Sequence, residues 1–413
     1  MADDEPKKEE RSISRAVEAF VVEVDALADT LPLVIPLVAA SGITAQRDWE
    51  QFLSRCTPND NGTFQVSPDE YANYTNTSRR LNRNRRALQI IPRSFLTSLV
   101  SHYDAFVGSV LRAALYLKPQ IISSFGRQFS VKEILAFESI DAIREGVIER
   151  EVETVLRDSH EEQFKWMEKT FSCLFRDESW PRFIEVTERR NLFVHCNGIV
   201  SAQYLAVCAQ HGVDCKNLKI GQELHVSTTY FQTAYSTIIE VGLKLAYVLW
   251  RRLKPEDILT ADTSLINICL NLIRDEKYVA AQSVLDFGIG CPRFGNEESR
   301  RIMILNRAQA YKWGGDDKKN KEILAAEDWN AANEKLRLGA AVLNDDFATA
   351  VKVMNQIGHN GPPAKGDYKE WPIFKVFRTS KEFMAAYRQV FGEDFSQTAT
   401  KEVGDNALNE SVQ

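Results

Sequence analysis

The chain is organised around the stretch ERRNLFVHCNG, which occupies residues 188–198. Upstream of it, Ser179 can cap a helix and Pro181 suits a first helical turn, so the pattern predicts a helix that begins near this point. The Asn-Gly pair at 197–198 favours the left-handed backbone that closes a helix. His195 is therefore expected in the last turn of this helix.

Three side chains of this stretch are the candidate catalytic residues: Arg190, Asn191 and His195. Asn191 and His195 are four positions apart and share a helical face, which the long Arg190 side chain can reach from the flank. Arginine binds phosphate and neutralises charge in a transition state, histidine transfers protons near neutral pH, and asparagine can orient either group. The pattern suits phosphodiester chemistry, although this spacing also occurs by chance on surface helices.

The wider string resembles the signature of the HEPN superfamily of helical ribonucleases. Arg190, Asn191 and His195 match the family's catalytic arginine, the polar residue after it and its histidine, and Gly198 and the pair Tyr204-Leu205 match its flanking positions. Tyr204 is therefore expected to support the catalytic residues. The resemblance covers residues 94–253. It implies metal-independent RNA cleavage without a cofactor, in which the 2′-hydroxyl attacks and one product ends in a cyclic phosphate. It also implies a homodimer, because HEPN sites are typically assembled where two copies of the motif face each other.

Bulk composition limits the class of protein. The 413 residues exceed what one core usually supports, so two or three domains are expected. The net charge of -6 argues against a dedicated duplex-DNA binder, so nucleic acid would have to contact a local patch. The seven cysteines are scattered and include no CxxC pair, which predicts reduced thiols in a cytoplasmic protein and no metal site.

An arginine cluster provides the candidate RNA-binding residues. It is interleaved with asparagines and preceded by Tyr71 and Tyr74, a composition that can follow an RNA backbone and stack on bases. A solvated helix face, or one that pairs with acidic residues of a partner domain, explains the same composition. The members of the cluster are Arg79, Arg80, Arg83, Arg85 and Arg86.

The N-terminal part shows no export signal. Residues 1–10 form a mixed-charge tail that is expected to be disordered. The apolar run Leu31–Ala40 is short and contains Pro32 and Pro36, so it is expected to be a core segment and not a membrane span. The sequence therefore predicts no membrane partner.

Two further helices complete the predicted catalytic bundle. Residues 95–117 form a strongly amphipathic pattern that carries Ser101 and Asp104. Related HEPN proteins place a polar or acidic residue on the helix that packs against the motif helix, and either of these two could occupy that supporting position. A second long helix is expected over residues 227–252, and the segment Lys254-Pro255-Glu256-Asp257 marks a domain boundary.

The C-terminal region has a different pattern. Helix pairs over 265–287, 300–311 and 333–357 are joined at short polar turns, and an aromatic residue and then a small one follow two of these turns. This is similar to degenerate tetratricopeptide hairpins closed by a capping helix, and it predicts a surface for a protein partner or regulator. A helical appendage that only extends the dimer interface is the alternative.

The sequence as a whole predicts an all-α protein. The expected parts are a tail at 1–10, a basic helical segment at 11–93, a HEPN-like catalytic domain at 94–254, a tetratricopeptide-like domain at 258–395 and a flexible tail at 396–413. No phosphate loop, GxSxG elbow or HExxH motif is present. The leading hypothesis is a toxin-like or antiviral-defence endoribonuclease; the alternatives are a non-catalytic HEPN-like adaptor and a nucleotide-binding regulator.

Overall fold

The computed structural model describes residues 12–123, 130–132 and 137–396, and its fold is all-α, as the sequence predicted. This described part contains 16 helices and one pair of short antiparallel strands. The chain divides into two compact units, residues 1–261 and 262–413. The predicted tail at 1–10 and, apart from Ser396, the predicted tail at 396–413 lie outside the described residues.

The first unit begins with two long helices, α1 (Ile13–Leu53) and α2 (Tyr71–Leu117). They are joined through the strands β1 (Thr57–Pro58) and β2 (Phe64–Gln65). Arg80 on α2 pairs with Asp48 on α1 at 2.7 Å, and His102 pairs with Glu23 at 2.8 Å. Because the later residue of α2 contacts the earlier residue of α1, the two helices are antiparallel.

The two ends of α1 have different surroundings. In its first half, Val17, Phe20, Val24 and Leu31 are buried at spacings of three, four and seven, and the Phe20 ring stacks on Phe106 at 4.1 Å. In its second half, only Ala45 and Phe52 are fully buried. We call residues 32–92 of this helical hairpin the arm, because only Ala45, Phe52, Leu81 and Pro92 are buried in it.

The prediction that Leu31–Ala40 is a core segment is wrong. Of this run only Leu31 is buried, while Leu33 is 69% exposed and Leu37 is 71% exposed. The reason is geometric: a helix in the arm has a single neighbour, so only one of its faces can be covered. Pro32 and Pro36 do not break the helix either, although each removes one backbone donor from it.

Among the described helices, α1 alone is long and apolar enough to cross a membrane by length and composition. Its most apolar window has a mean hydropathy of 1.7, and 11% of that window is buried. The core helix of a soluble protein, or a signal sequence, meets the same criterion of length and hydropathy. The absence of a membrane partner and the cytoplasmic location therefore stay predictions.

The helix predicted over 95–117 is part of the much longer α2, which passes through Pro92 without interruption. The domain division expected between 93 and 94 therefore falls inside one helix. Beyond the arm, the inner face of α2 enters the core of the first unit. The residues of that face include Leu96, Leu99, Val100, Tyr103, Phe106, Val107 and Val110.

Another long helix of the first unit, α8 (Thr228–Leu253), lies close to the range predicted for it. This helix contacts α1, α2 and the motif helix α6 (Trp180–His195). Gly242 is needed for this packing, because a Cβ there would lie 2.8 Å from the Phe20 ring. The other helices are α3 (Pro119–Ser123), α4 (Ile140–Arg157), α5 (His160–Phe171) and α7 (Ala202–Gln210).

The second unit contains three helical hairpins with similar turns. In each turn a left-handed residue, at position 276, 315 or 345, is followed by an amide that donates to the carbonyl five positions earlier. The spacing of these turns is irregular, as the sequence indicated. The helices are α9 (Ile258–Arg274), α10 (Tyr278–Ile289), α11 (Glu297–Trp313), α12 (Asp317–Ala325), α13 (Glu334–Leu343) and α14 (Phe347–Ile357).

The second unit ends with α15 (Asp367–Glu370) and α16 (Lys381–Phe391). Ser380 caps α16 by accepting from the Phe383 amide at 3.1 Å. This segment packs against α14 through a dense aromatic cluster, which gives the end of the unit its own buried core. The buried aromatic side chains are Tyr368, Phe374, Phe377, Phe383 and Tyr387.

Candidate functional site

The motif helix α6 begins where the sequence predicted, but its N-terminal cap is different. Ser179 has helical backbone angles and makes no capping bond; its hydroxyl and amide instead donate to the Asp177 carboxylate at 2.6 and 2.8 Å. Burial acts to raise the pKa of Asp177, but hydrogen bonds from Lys244 and Ser179 outweigh it and lower that pKa. Pro181 does lie in the first turn.

The C-terminal end of α6 is a left-handed turn directly after His195. The amides of Cys196 and Gly198 both donate to the carbonyl of Leu192, at 2.8 and 3.0 Å. Asn197 and Gly198 have φ angles of 55° and 82°. A Cβ on residue 198 would lie 2.9 Å from the Phe193 ring and 3.2 Å from the carbonyl oxygen of Leu224, so both space and backbone favour glycine here.

Arg93 of α2 fixes this turn from the side. Its guanidinium donates to the carbonyl of Asn197 at 3.2 Å and to Glu223 at 2.7 Å, and it lies 5.1 Å from the centre of the Phe193 ring. The Arg93 side chain is 15% exposed. The same guanidinium thus contacts Phe193 before the turn, Asn197 within it and Glu223 after it. These contacts hold the C-terminal end of α6 against α2.

Arg190 is held by an acidic residue of α2. Its Nη2 donates to Oδ2 of Asp104 at 2.7 Å, and the Arg190 side chain is 18% exposed. The Nε of Arg190 is buried and has no hydrogen-bond partner. Of the two supporting residues expected on α2, Asp104 therefore contacts the motif. Ser101 does not: it is exposed, and its hydroxyl donates to the carbonyl of Thr97 in its own helix at 2.9 Å.

His160 joins this site, and sequence reasoning missed it. Its Nε2 lies 2.9 Å from Oδ1 of Asp104, so one carboxylate contacts both His160 and Arg190. The imidazole packs against the rings of Tyr103 and Phe183. His160 follows a cap serine at the start of α5, a position typical of surface residues, so no local signal could have found it. Burial, and then the charge of Asp104, raises the pKa of Tyr103 well above its usual value.

The neighbouring arginine has a separate partner. Nε of Arg189 donates to Glu185 at 2.6 Å, and the guanidinium lies 4.0 Å from the centre of the Tyr230 ring. The hydroxyls of Tyr204 and Tyr230 donate to the same carboxylate at 2.8 and 2.7 Å. Burial, and then the Glu185 charge, raises the pKa of Tyr204. Tyr204, a predicted supporting residue, thus lies in this network and not beside Arg190.

Asn191 and His195 complete the motif. The amide of Asn191 donates to Glu188 at 3.1 Å. His195 is exposed in the last turn, and within the described part of the chain it makes no hydrogen bond or ion pair. The structure thus combines an arginine with a fixed orientation and a histidine that is open to solvent on the same helix.

The predicted RNA-binding arginines lie on the arm and divide into two groups. Arg80 pairs with Asp48 and Arg85 donates to Gln46 at 3.1 Å, so these two turn toward α1. The other three, Arg79, Arg83 and Arg86, are exposed and make no ion pair within the described residues. The exposed surface beside them also includes Asn82, Gln89 and the flanking Arg85.

The described residues include no group of three or more His, Cys, Asp or Glu side chains placed to hold a metal ion. None of the seven cysteines, which all lie within the described residues, forms a disulfide bond. His211, which lies between Cys208 and Cys215 in sequence, accepts from Trp180 Nε1 at 3.1 Å and lies 3.1 Å from Glu161. Metal independence of any reaction stays a prediction.

Comparison with known proteins does not assign a family. No family model matches the sequence, and neither the curated proteins nor the solved structures compared with it show a significant match.

Proposed function

We propose that the chain is a metal-independent endoribonuclease whose active centre is built on Arg190, Asn191 and His195. One observation carries this proposal: Arg190 is oriented by the Asp104 carboxylate, while His195 on the same helix is exposed and unpaired among the described residues. A cation with a fixed direction and a free imidazole on the same helix supply two groups that suit cleavage of a phosphodiester. The resemblance of the motif to HEPN ribonucleases points the same way.

In the proposed reaction, the 2′-oxygen of a ribose attacks the adjacent phosphorus and the bond from phosphorus to the 5′-oxygen breaks. The products are a 2′,3′-cyclic phosphate and a 5′-hydroxyl. One proton leaves the 2′-hydroxyl and one is added to the 5′-oxygen; His195 makes one of these transfers and water the other, while Arg190 stabilises the negative charge that develops on the phosphate. Asn191, one helical turn before His195, orients the imidazole or the substrate.

The geometry of α6 supports a site completed by a second copy. Arg190 and His195 are five positions apart, which rotates their side chains by about 140° around the helix axis. Arg190 is turned inward to Asp104, whereas His195 faces solvent. An arginine from one copy and a histidine from another can therefore meet more directly than the two groups of one helix.

A toxin-like or antiviral role is proposed from the same resemblance, with the second unit receiving the partner that controls release or activation. The helical hairpins of that unit support a binding role because such arrays present repeated surfaces to peptides and partner domains. The adaptor hypothesis predicts partner binding without RNA cleavage, and the regulator hypothesis predicts nucleotide binding without it.

The test is cleavage of mixed RNA in EDTA by the full chain, beside Arg190→Ala and His195→Ala. His359→Ala, an exposed histidine of the second unit, is the matched control. We expect cyclic-phosphate ends from the parent and the control, and a loss of at least 100-fold in both motif variants. Cleavage that survives in both variants, or no cleavage by the parent even with cell extract added, rejects the proposal.

A further inference from the structure

One face of α2 connects the arginines of the arm to the motif. Positions 79, 83, 86, 90, 93, 97, 101 and 104 follow each other at spacings of three and four. Each residue rotates the chain by about 100° around the helix axis, so the 25 residue steps from Arg79 to Asp104 give a rotation only about 20° short of seven full turns. The side chains at the two ends of this series therefore leave the helix in nearly the same direction.

Contacts with α6 show where this face meets the motif. Arg93 binds the carbonyl of Asn197, two residues after His195, and Asp104 binds Arg190. The motif helix thus lies along α2 between positions 93 and 104 and runs antiparallel to it. The end of α6 that carries His195 is the end nearer to the arm.

Only some of the positive charge on this face is available to a ligand. Arg93 is already paired with Glu223. Arg79, Arg83 and Arg86 are exposed and have no carboxylate partner in the part of the chain that the structure describes. We define these three as the arginine track.

We propose that the arginine track binds the phosphate backbone of single-stranded RNA and leads the strand to the motif, so that substrates are selected by length. This inference rests on the proposed ribonuclease function. Neighbouring members of the track are about 4.5–6 Å apart along the helix, which allows each to contact a different phosphate. Asn82 and Gln89, on the same exposed surface, offer amides to base edges. An acidic protein segment would need no such amides.

The distance along α2 from the arginine track to the motif sets the RNA length at which affinity should stop rising. From Arg79 to the level of Arg93 the rise of the helix is about 21 Å, and to the level of Asp104 it is about 38 Å. A stacked strand advances about 3.4 Å per nucleotide, so it needs about 6 nucleotides to reach the near end of the motif and about 11 to pass its far end. Affinity should rise with length up to this range and then level off.

The binding experiment uses the full chain with His195→Ala, so that RNA stays intact, and fluorescently labelled RNAs of 4, 8, 12 and 20 nucleotides. In this background Arg83→Gln with Arg86→Gln removes two charges from the track. Arg55→Gln with Arg80→Gln is the matched control, because it removes two charges from arm arginines that are already paired with carboxylates, Glu70 and Asp48, and that lie off the track surface. Circular dichroism checks that both double variants are folded.

We expect the track variant to bind the 12- and 20-nucleotide RNAs more weakly and to lose the dependence on length. The logarithm of the binding constant falls linearly with the logarithm of the salt concentration, and two lost phosphate contacts make this slope shallower by about 1.4. When the salt is raised from 50 to 200 mM, the affinity of the parent should therefore fall about sevenfold more than that of the track variant. The control should stay within twofold of the parent. Equal weakening in both variants, equal affinity for all four lengths, or equal binding of a polyglutamate peptide overturns the proposal.

Cleavage measurements distinguish a failure of the arginine track from a failure of the proposed ribonuclease function. If the protein with His195 intact cuts the 4- and 20-nucleotide RNAs with equal kcat/KM, the track is rejected and the nuclease stands. If that protein cuts nothing but binding depends on length and on Arg83 and Arg86, the nuclease is rejected and the track stands as an RNA-binding surface.

Discussion

Replacing Asp104 with alanine tests the centre of the candidate site. The carboxylate contacts Arg190 at 2.7 Å and His160 at 2.9 Å, so the change removes two interactions at once. A hydrogen bond to a charged group contributes about 1.5–3 kcal/mol when shielded from water. Because the Asp104 side chain is 34% exposed, we take the lower end for each and expect a loss of about 2–3 kcal/mol in the free energy of unfolding.

Thermal unfolding of the full chain measures this loss. A change of this size should lower the Tm of the first unit by about 5–10 °C. Ser101→Ala is the matched control on the same helix, because its hydroxyl bonds only to its own helix, and it should change the free energy of unfolding by less than about 0.5 kcal/mol. Asp104→Ala together with His160→Ala should cost at least about 0.5 kcal/mol less than the sum of the single changes, since they share one interaction.

Activity gives a second readout of the same change. Without its carboxylate the Arg190 guanidinium loses its fixed direction, and a misplacement of about 1 Å can reduce catalysis about 100-fold. RNA cleavage by Asp104→Ala should therefore fall by about that factor at a temperature where the variant is fully folded. An unchanged Tm and unchanged cleavage, or equal losses in Ser101→Ala, would refute the assignment of Asp104 as the residue that orients Arg190.

Two further predictions concern the end of the motif helix and its cysteines. Gly198→Ala should lower the free energy of unfolding of the first unit by about 1–2 kcal/mol more than Gly212→Ala does, as measured by denaturant unfolding. Both glycines have a positive φ, but only position 198 is crowded by neighbouring atoms. Equal losses in the two variants would show that backbone strain alone matters. Cys196 is exposed, whereas burial raises the pKa of Cys208 to about 12, so at pH 8 a thiol reagent should modify Cys196 quickly and Cys208 only on unfolding. Peptide mapping measures the order, and the reverse order would contradict the burial described for these residues.

Local signals in the sequence were sufficient to predict where the motif helix begins and ends. Pro181 in its first turn, the left-handed Asn197-Gly198 pair at its end and His195 in its last turn all follow from short-range backbone preferences, and the structure confirms them. The predicted cap was wrong because Asp177, two residues earlier, binds Ser179 in competition with the helix: it accepts from both the amide and the hydroxyl of Ser179 and is itself held by Lys244. That competition depends on a contact with α8, which local sequence does not reveal.

Long-range contacts explain what the sequence left open. Arg189 and Arg190 are adjacent and identical in type, yet one binds Glu185 and the other binds Asp104, because neighbouring helical positions point about 100° apart. His160 belongs to the site only through its contact with Asp104. The exposed apolar residues of the arm were unpredictable for the opposite reason: composition indicates burial, but burial requires neighbours that α1 does not have there.

The contact between Arg190 and Asp104 also bears on how the site forms during folding. The two residues are 86 positions apart, so this bond closes a long loop, while the helix around Arg190 can form from local interactions alone. A fragment that begins after α2 would contain Arg190, Asn191 and His195 but would lack the carboxylate that orients the arginine. The motif is therefore a local sequence whose geometry is completed only after a distant part of the chain has docked.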